Sequence, residues 1–130
     1  MQFGEFMRQI EHNEQVALMK WWSIACNRYC IAESLLFAIP NGGNRDVVTG
    51  AMMKAEGVRA GVPDLFLSVP RGAYHGLFIE MKKENGGRVS ISQKSMIESL
   101  KSQGYAAFVC RGWTEARITI EAYLHGGFKP

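Results

Sequence analysis

The chain has 130 residues, 47% of them hydrophobic and 21% charged, which fits a single soluble globular domain over residues 1–130. This composition excludes collagen, coiled coils and intrinsically disordered proteins, and no apolar run approaches the ~20 residues that cross a membrane. The net charge of +3 permits an anionic partner but does not demonstrate one.

The N-terminal half predicts a long helix, a short strand and a second helix. Apolar residues at helical spacing extend over residues 6–29. The apolar run 34–39 predicts a strand, and the Gly-rich segment 41–45 after it predicts a loop. Thr49 is the expected N-cap of the second helix, which Gly57 would end. The buried stripe of the first helix is expected to contain Val16, Leu18, Met19, Trp22 and Cys26.

The middle of the chain predicts an antiparallel hairpin. Residues 64–69 and 77–82 are both rich in apolar residues, with partial alternation. The segment 70–76 between them contains proline, glycine and polar residues, so it is a connection. Because this connection is short, the two strands are expected to pair antiparallel.

A helix, a strand and a last helix are predicted after the hairpin. Ser90 or Ser92 begins the helix, which extends to about Gln103. Residues 105–110 are almost uninterruptedly apolar, as is typical of a buried parallel strand. Thr114 is the expected N-cap of the last helix. Its inward positions are Ala116, Ile120, Tyr123 and Leu124.

The predicted elements follow one another as α-β-α-β-β-α-β-α, which indicates an α/β fold: an α/β/α sandwich around a small mixed β-sheet. The connection from strand 77–82 through a helix to strand 105–110 is expected to be a right-handed parallel crossover.

Two acidic residues and a lysine on the hairpin are the strongest candidates for chemistry. Glu80 and Lys82 share one face of an otherwise apolar strand, because strand side chains alternate. Asp64 begins the partner strand, and the hairpin can bring the two carboxylates together. Adjacent carboxylates repel, so a cation such as Mg²⁺ between them is the natural explanation. Alternatively, Glu80 and Lys82 form a surface ion pair and Asp64 is an ordinary turn residue.

The three cysteines are an odd number for a disulfide framework. Cys26 and Cys30 lie four residues apart on the predicted helix, so two thiolates could hold one metal ion. No second Cys or His pair at zinc-finger spacing follows, and we therefore expect buried reduced thiols.

Four sequence blocks in order resemble a known nuclease family. Pro63-Asp64 followed by Glu80-Met81-Lys82 is similar to the PD-(D/E)xK signature. The blocks IPNGG at 39–43 and GVRAGVPD at 57–64, with a glutamine on the next helix, resemble its VRR-NUC branch. The similarity covers about residues 11–124. It implies a restriction-endonuclease-like fold that cleaves nucleic acid with Mg²⁺ or Mn²⁺.

The resemblance also implies roles for individual residues. Asp64 and Glu80 would hold the metal ion, with the backbone carbonyl of Met81 as a further ligand. Lys82 would assist the attacking water, and Gln93 would support the site. Gln93 is also placed to close a capping box with the serine three residues before it, and the two roles are compatible.

The family carries a glutamate on the first helix that can join the site. Glu11 and Glu14 both qualify. Glu11 lies four residues before Gln15, on a face that Leu18 and Trp22 continue. We therefore expect Glu11 to point inward and Glu14 to be solvated.

A loop and several basic residues around these positions are candidates for contact with a DNA backbone. The loop offers backbone N–H groups, amides and a cation that suit phosphate oxygens, although a plain turn would need its glycines too. The basic residues would form a groove if they lie near one edge of the sheet. The candidates are Asn41, Gly42, Gly43, Arg45, Lys54, Arg59, Lys83, Arg88 and Lys94.

We therefore predict a metal-dependent DNA endonuclease. Stand-alone members of the family, encoded by phages and bacteria, resemble Holliday-junction resolvases, so branched DNA such as a four-way junction is the expected substrate. A homodimer is expected, because one small active site can hardly cut two opposed strands. The alternatives are a non-catalytic module that binds DNA structure, and a nuclease that acts on nicks, flaps or RNA.

The expected location is the cytoplasm of a bacterium or of a phage-infected cell. The first eleven residues include Glu5, Arg8 and Glu11, which a secretory signal would not carry. We expect no membrane partner and no organic cofactor.

Overall fold

The computed structural model describes residues 2–40 and 47–126. Within these ranges the helices and strands follow the predicted order, with two additional 3₁₀ turns at Cys26–Tyr29 and Glu33–Leu35. The elements are α1 Phe3–Ala25, β1 Leu36–Ala38, α2 Val47–Ala55, β2 Leu65–Leu67, β3 Leu77–Lys82, α3 Ile91–Ser102, β4 Ala106–Arg111 and α4 Trp113–Leu124. The predicted α/β fold is confirmed. The loop expected at 41–45 lies outside the described residues.

The strands form one mixed sheet in the order β1-β2-β3-β4. The hairpin prediction is confirmed, because β2 and β3 pair antiparallel, and β4 runs parallel to β3 as expected. β2 is shorter than predicted, but single hydrogen bonds continue the pairing with β1 beyond its ends. The Ile39 N–H donates to the carbonyl of Asp64 at 2.7 Å, and the Ser68 N–H to that of Leu35 at 2.8 Å.

One face of this sheet packs against α1 and α4 and forms the main core. The strands direct Leu65, Leu77 and Ile79 toward these helices, where all three side chains are fully buried. The helices contribute Leu18, Trp22, Ala116, Ile120, Tyr123 and Leu124. The inward face predicted for α4 is therefore confirmed. α3 lies on the other face of the sheet, where it packs against β4.

The first helix differs in detail from its prediction. α1 begins at Phe3, and its α-helical part gives way to a 3₁₀ turn after Ala25. Cys26 is buried as expected, but the prediction is wrong for Cys30, which follows that turn in a left-handed conformation with φ 54° and is exposed. Val16 is also exposed, so the buried stripe is narrower than its periodicity indicates. None of the described helices is long and apolar enough to cross a membrane.

The threonines predicted to cap α2 and α4 do not do so. Thr49 lies inside α2 and Thr114 lies inside α4, so neither precedes its helix. Gly112 stands at the N-cap of α4, and Oε2 of Glu14 accepts the N–H of Trp113 at 2.5 Å. A carboxylate from α1 therefore caps α4 and interacts favourably with the positive end of its dipole.

Candidate active site

Two carboxyl groups meet near the carboxyl end of β3. Leu65 pairs with Ile79, so continuing the antiparallel register by one residue places Asp64 opposite Glu80. The two carboxyl groups lie close enough for each to shift the pKa of the other. Oδ2 of Asp64 also accepts the backbone N–H of Met81 at 2.8 Å. The structure therefore brings together the two carboxylates that the sequence indicated.

Burial outweighs the nearby positive charge of Lys82 in the electrostatics of this pair. Glu80 is 4% exposed and is the one buried charged side chain in the described parts of the chain. Burial and the neighbouring charge of Asp64 raise the pKa of Glu80 to about 7, and burial also raises the pKa of Asp64. Two touching carboxyl groups are an oxygen donor set that suits a hard divalent cation, so these residues fit Mg²⁺ or Mn²⁺.

Lys82 and Gln93 both contact the same oxygen of Glu80. The Lys82 ammonium lies 3.5 Å from Oε2 of Glu80, and the side chains of both residues are mostly buried. Nε2 of Gln93 donates a hydrogen bond to that oxygen at 3.0 Å. The alternative of a solvated surface ion pair is therefore wrong, because neither partner is at the open surface.

Gln93 combines the two roles that its position allowed. Its Oε1 accepts the Ser90 N–H at 2.9 Å, and its own N–H donates to Oγ of Ser90 at 3.1 Å. This capping box fixes the first turn of α3 while the amide nitrogen holds Glu80. The side chain of Gln93 thus links the N-terminal end of α3 to the orientation of the Glu80 carboxylate.

Gly61 is a further residue of this arrangement, and its role was not predicted. Its φ is +85°, and a Cβ at this position would lie 2.3 Å from the carbonyl oxygen of Ser92 and 2.9 Å from the nitrogen of Gln93. Only glycine allows the loop before Asp64 to approach the start of α3 so closely. The glycine-containing block GVRAGVPD is the only sequence signal for this contact.

The two glutamates of α1 occupy different places. Glu11 lines a cavity of about 360 Å³ together with Asp64 and Met81, whereas Glu14 caps α4. The prediction that Glu14 is solvated is therefore wrong. In residues 2–40 and 47–126, no group of three or more His, Cys, Asp or Glu side chains is close enough to hold a metal ion. Glu11 faces the site without completing a three-carboxylate cluster.

The predicted basic residues fall into three groups. Arg88 and Lys94 line one cavity at the start of α3, together with Arg111, which was not predicted. Lys83 is half-buried, and its Nζ lies 3.4 Å from the sulfur of Met7. Lys54 on α2 and Arg59 after it are exposed, and neither lines that cavity. The candidates Asn41, Gly42, Gly43 and Arg45 lie outside the described residues.

Strand alternation could have found Arg111. It pairs with Lys82 in the parallel β3–β4 ladder, so both side chains stand on the same face of the sheet. The sequence prediction ended the strand one residue earlier and so left this arginine out.

Comparison with known proteins decides the family. The profile of the VRR-NUC domain matches residues 6–113. The chain belongs to the VRR-NUC family. A solved structure of a VRR-NUC domain protein is 32% identical to this chain, with a TM-score of 0.79, and the similarity covers 91% of this chain and 90% of that one. A comparison with curated protein sequences gives no significant match.

The VRR-NUC match contains the whole candidate site. Asp64, Glu80, Lys82 and Gln93 all lie inside residues 6–113, as do the four strands of the sheet. α4 lies almost entirely beyond the match, although it covers one face of that sheet. The resemblance drawn from the motifs is thus confirmed, and the chain carries a nuclease-type domain.

Proposed function

We propose that this chain is a metal-dependent endodeoxyribonuclease that hydrolyses phosphodiester bonds in branched DNA. The observation that carries the proposal is the pair of a partly buried Asp64 and a buried Glu80, with Lys82 and Gln93 on one oxygen of Glu80. A purely structural role would not explain why two carboxyl groups lie together where burial raises the pKa of both and the charge of Asp64 further raises that of Glu80.

Asp64 and Glu80 would hold Mg²⁺ or Mn²⁺, and the backbone carbonyl of Met81 remains the proposed third protein ligand. The ion would supply Lewis acidity and neutralise charge at the scissile phosphate. The N–H of Met81 donates to Asp64, and the amide of Gln93 donates to Glu80, so both carboxylates are held in fixed orientations. This preorganisation lowers the cost of assembling the site around a substrate.

Lys82 would act on the water and on the phosphate. Its ammonium lies beside Glu80 and is mostly buried, so its charge is poorly screened by solvent. From there it would orient the attacking water and stabilise the negative charge that develops as one P–O bond forms and another breaks. The attacking water gives up one proton to the solvent, and the leaving oxygen takes up one proton from the solvent.

Two features of the sequence favour a branched substrate cut by a homodimer. Nothing in these 130 residues resembles a sequence-reading module such as a zinc finger. A single active site in a domain of this size cannot reach two opposed strands at once, whereas a symmetric pair of copies presents two sites. Sedimentation should show a dimer, and a monomer both free and on junction DNA would contradict this part of the proposal.

The function is tested by cleavage of a labelled four-way junction, a linear duplex and a single strand, each with Mg²⁺, Mn²⁺ or EDTA. We expect cuts in the junction that require the metal ion and disappear in Asp64→Asn, while DNA binding by this variant persists. Glu98→Gln is the matched control, because Glu98 is an exposed acid on α3 that pairs only with Lys101 among the described residues.

Each other outcome selects one of the alternatives. Binding without cleavage under every metal condition would identify a non-catalytic module that recognises DNA structure. Cleavage confined to linear or single-stranded DNA, or extending to RNA, would keep the nuclease and reject the preference for junctions. Full cleavage by Asp64→Asn would remove the two-carboxylate mechanism.

A further inference from the structure

We infer that the cavity at the start of α3 holds one unpaired nucleotide of the DNA substrate. The inference rests on the proposed function and specifies which DNA feature that site recognises. The cavity has a volume of about 680 Å³, within the range of small-molecule sites. Its walls include Gly87, Arg88, Val89, Ile91, Lys94 and Arg111. We call it the α3 cavity.

The charge of the α3 cavity suits a phosphate group. Arg88, Lys94 and Arg111 supply three cations, and none of its lining residues is acidic. In the part of the chain that the structure describes, none of these three cations forms an ion pair with a carboxylate. Their charge is therefore available to a phosphate oxygen.

Arg111 is the most firmly positioned of the three cations. Its guanidinium donates to the backbone carbonyl of Gly86, and to that of Gly87 at 3.3 Å. Both glycines have positive φ values, 76° and 72°, so the loop that holds the guanidinium depends on residues without a side chain. A guanidinium has more N–H donors than these two carbonyls occupy, and the others can bind an anion.

The walls of the α3 cavity also contain apolar side chains, which a site for phosphate alone does not require. Ile91 is 87% exposed and Val89 is half-buried, so both offer methyl groups to an occupant. A nucleotide combines a phosphate with the apolar face of a base. In a duplex these faces are covered by stacking, so only an unpaired base can present one to a concave wall.

The position of this cavity relative to the active site is fixed by short connections. Ile91 is the first residue of α3, and Gln93 in the same turn donates to Glu80. Arg111 stands beside Lys82 on the neighbouring strand. A nucleotide in the α3 cavity would therefore lie next to a phosphate at the carboxylate pair. Unpaired nucleotides at a branch point would direct cleavage to that point.

The test uses the full chain carrying Asp64→Asn, so that bound DNA is not cut. Fluorescence anisotropy measures Kd for a paired duplex and for the same duplex with one unpaired 2-aminopurine nucleotide. We expect tighter binding of the second DNA, with a change in 2-aminopurine emission. Ile91→Ala should reduce that preference by roughly tenfold, because apolar contact is lost. Arg111→Gln should lower the slope of log Kd against log salt by about one.

Ile118→Ala is the matched control, because Ile118 is also an exposed isoleucine but lies on α4, across the sheet from α3. It should leave both affinities unchanged. Equal affinity for the two DNAs, or an Ile91→Ala result equal to that of Ile118→Ala, would overturn the inference. Metal-dependent cleavage by the unmutated chain in that case would leave the proposed function standing. If no DNA is bound or cut, both fail.

Discussion

The two faces of strand β3 differ in chemical character toward its carboxyl end, beyond Phe78, which packs against Phe66 and Tyr105. Leu77, Ile79 and Met81 point toward α1 and α4, where they are buried among apolar side chains. Glu80 and Lys82, which alternate with them, point toward α3 and belong to the candidate site. Residues one position apart therefore serve different purposes, one set in packing and the other in chemistry.

This difference shows how a small domain accommodates a buried carboxylate. Burying Glu80 costs free energy, which its contacts with Lys82 and Gln93 offset only in part, since its pKa is still raised. The apolar face supplies the stability that makes this tolerable, because burial of each large apolar side chain contributes about 1.5–3 kcal/mol. The face with Glu80 and Lys82, which we call the polar face, can then keep a carboxyl pair that is unfavourable by itself but suits a cation.

The sharpest test of this comparison replaces two adjacent residues of β3. Glu80→Gln should lower metal-dependent cleavage by at least about 10³-fold, because a proposed ligand of the metal ion is lost, and should leave the protein folded. Ile79→Ala should lower the free energy of unfolding by about 2–5 kcal/mol, because it leaves a cavity in the core. Cleavage assays and urea unfolding of both variants measure the two effects.

The two variants control for each other, since they lie on one strand and differ in the face they change. If Glu80→Gln unfolds the protein, or if Ile79→Ala abolishes cleavage while stability is unchanged, the assignment of packing to one face of β3 and chemistry to the other is wrong.

Lys82→Ala sharpens the description of the polar face. We expect cleavage at saturating Mg²⁺ to fall by roughly 10²–10⁴-fold, because the variant lacks the ammonium that is proposed to act on water and phosphate. The affinity for the ion should not fall, since a cation beside the carboxylates has been removed. Titration of cleavage rate against Mg²⁺ separates the two quantities, and unchanged turnover would rule out a catalytic Lys82.

Gly61→Ala tests how the polar face is held in position. The new Cβ would meet the Ser92 carbonyl and displace the first turn of α3, and with it the Gln93 amide. We expect cleavage to fall by roughly 10²-fold, as for a displacement of about 1 Å. Gly57→Ala is the control, because Gly57 also has a positive φ of +102° but no atom within 4 Å of the added Cβ. Equal losses in both variants would attribute the effect to backbone strain alone.

Much of the polar face was predictable because the sequence patterns that indicate it involve residues close together in the chain. The alternation of β3 placed Glu80 and Lys82 together, and the short connection to β2 brought Asp64 opposite them. The spacing Ser90 to Gln93 indicated the capping box that the structure contains.

The features that were not predicted depend on contacts between distant parts of the chain. Glu14 caps α4 across 99 positions of sequence, so a local search selected Thr114 instead. Gly61 is required because of the backbone of Ser92, which only the folded chain brings near. Patterns in a single sequence indicate on which face of a helix or strand a side chain lies. They do not indicate which other helix or strand it contacts.

A pH dependence of stability should follow from the polar face. In metal-free protein the pKa of Glu80 is raised from 4.5 to about 7, and that of Asp64 is raised as well. Between these pH values the folded state binds more protons than the unfolded chain, so the free energy of unfolding falls as the pH rises. We expect a loss on the order of 1–3 kcal/mol between pH 5 and pH 8 in urea unfolding with EDTA.

Glu80→Gln is the control for this titration, because it removes the group whose pKa is most affected. Its stability should change less over the same pH range. Mg²⁺ should restore stability to the unmutated protein at pH 8, where the carboxylates are ionised. A free energy of unfolding that rises from pH 5 to pH 8 in metal-free protein would contradict the assignment.

The smallest expected effects distinguish the two glutamates of α1. We expect Glu14 to contribute to stability and Glu11 to contribute to cleavage. Glu14→Ala should lower the free energy of unfolding by about 1 kcal/mol, because the N–H of Trp113 loses its acceptor, and should leave cleavage intact. Glu11→Ala should lower cleavage by about tenfold with little change in stability, since Glu11 faces Asp64 across an open cavity. Parallel unfolding and cleavage measurements check both. A loss of cleavage in Glu14→Ala beside the loss of stability would place Glu14 at the site as well as at the cap, and unchanged stability would contradict its capping role.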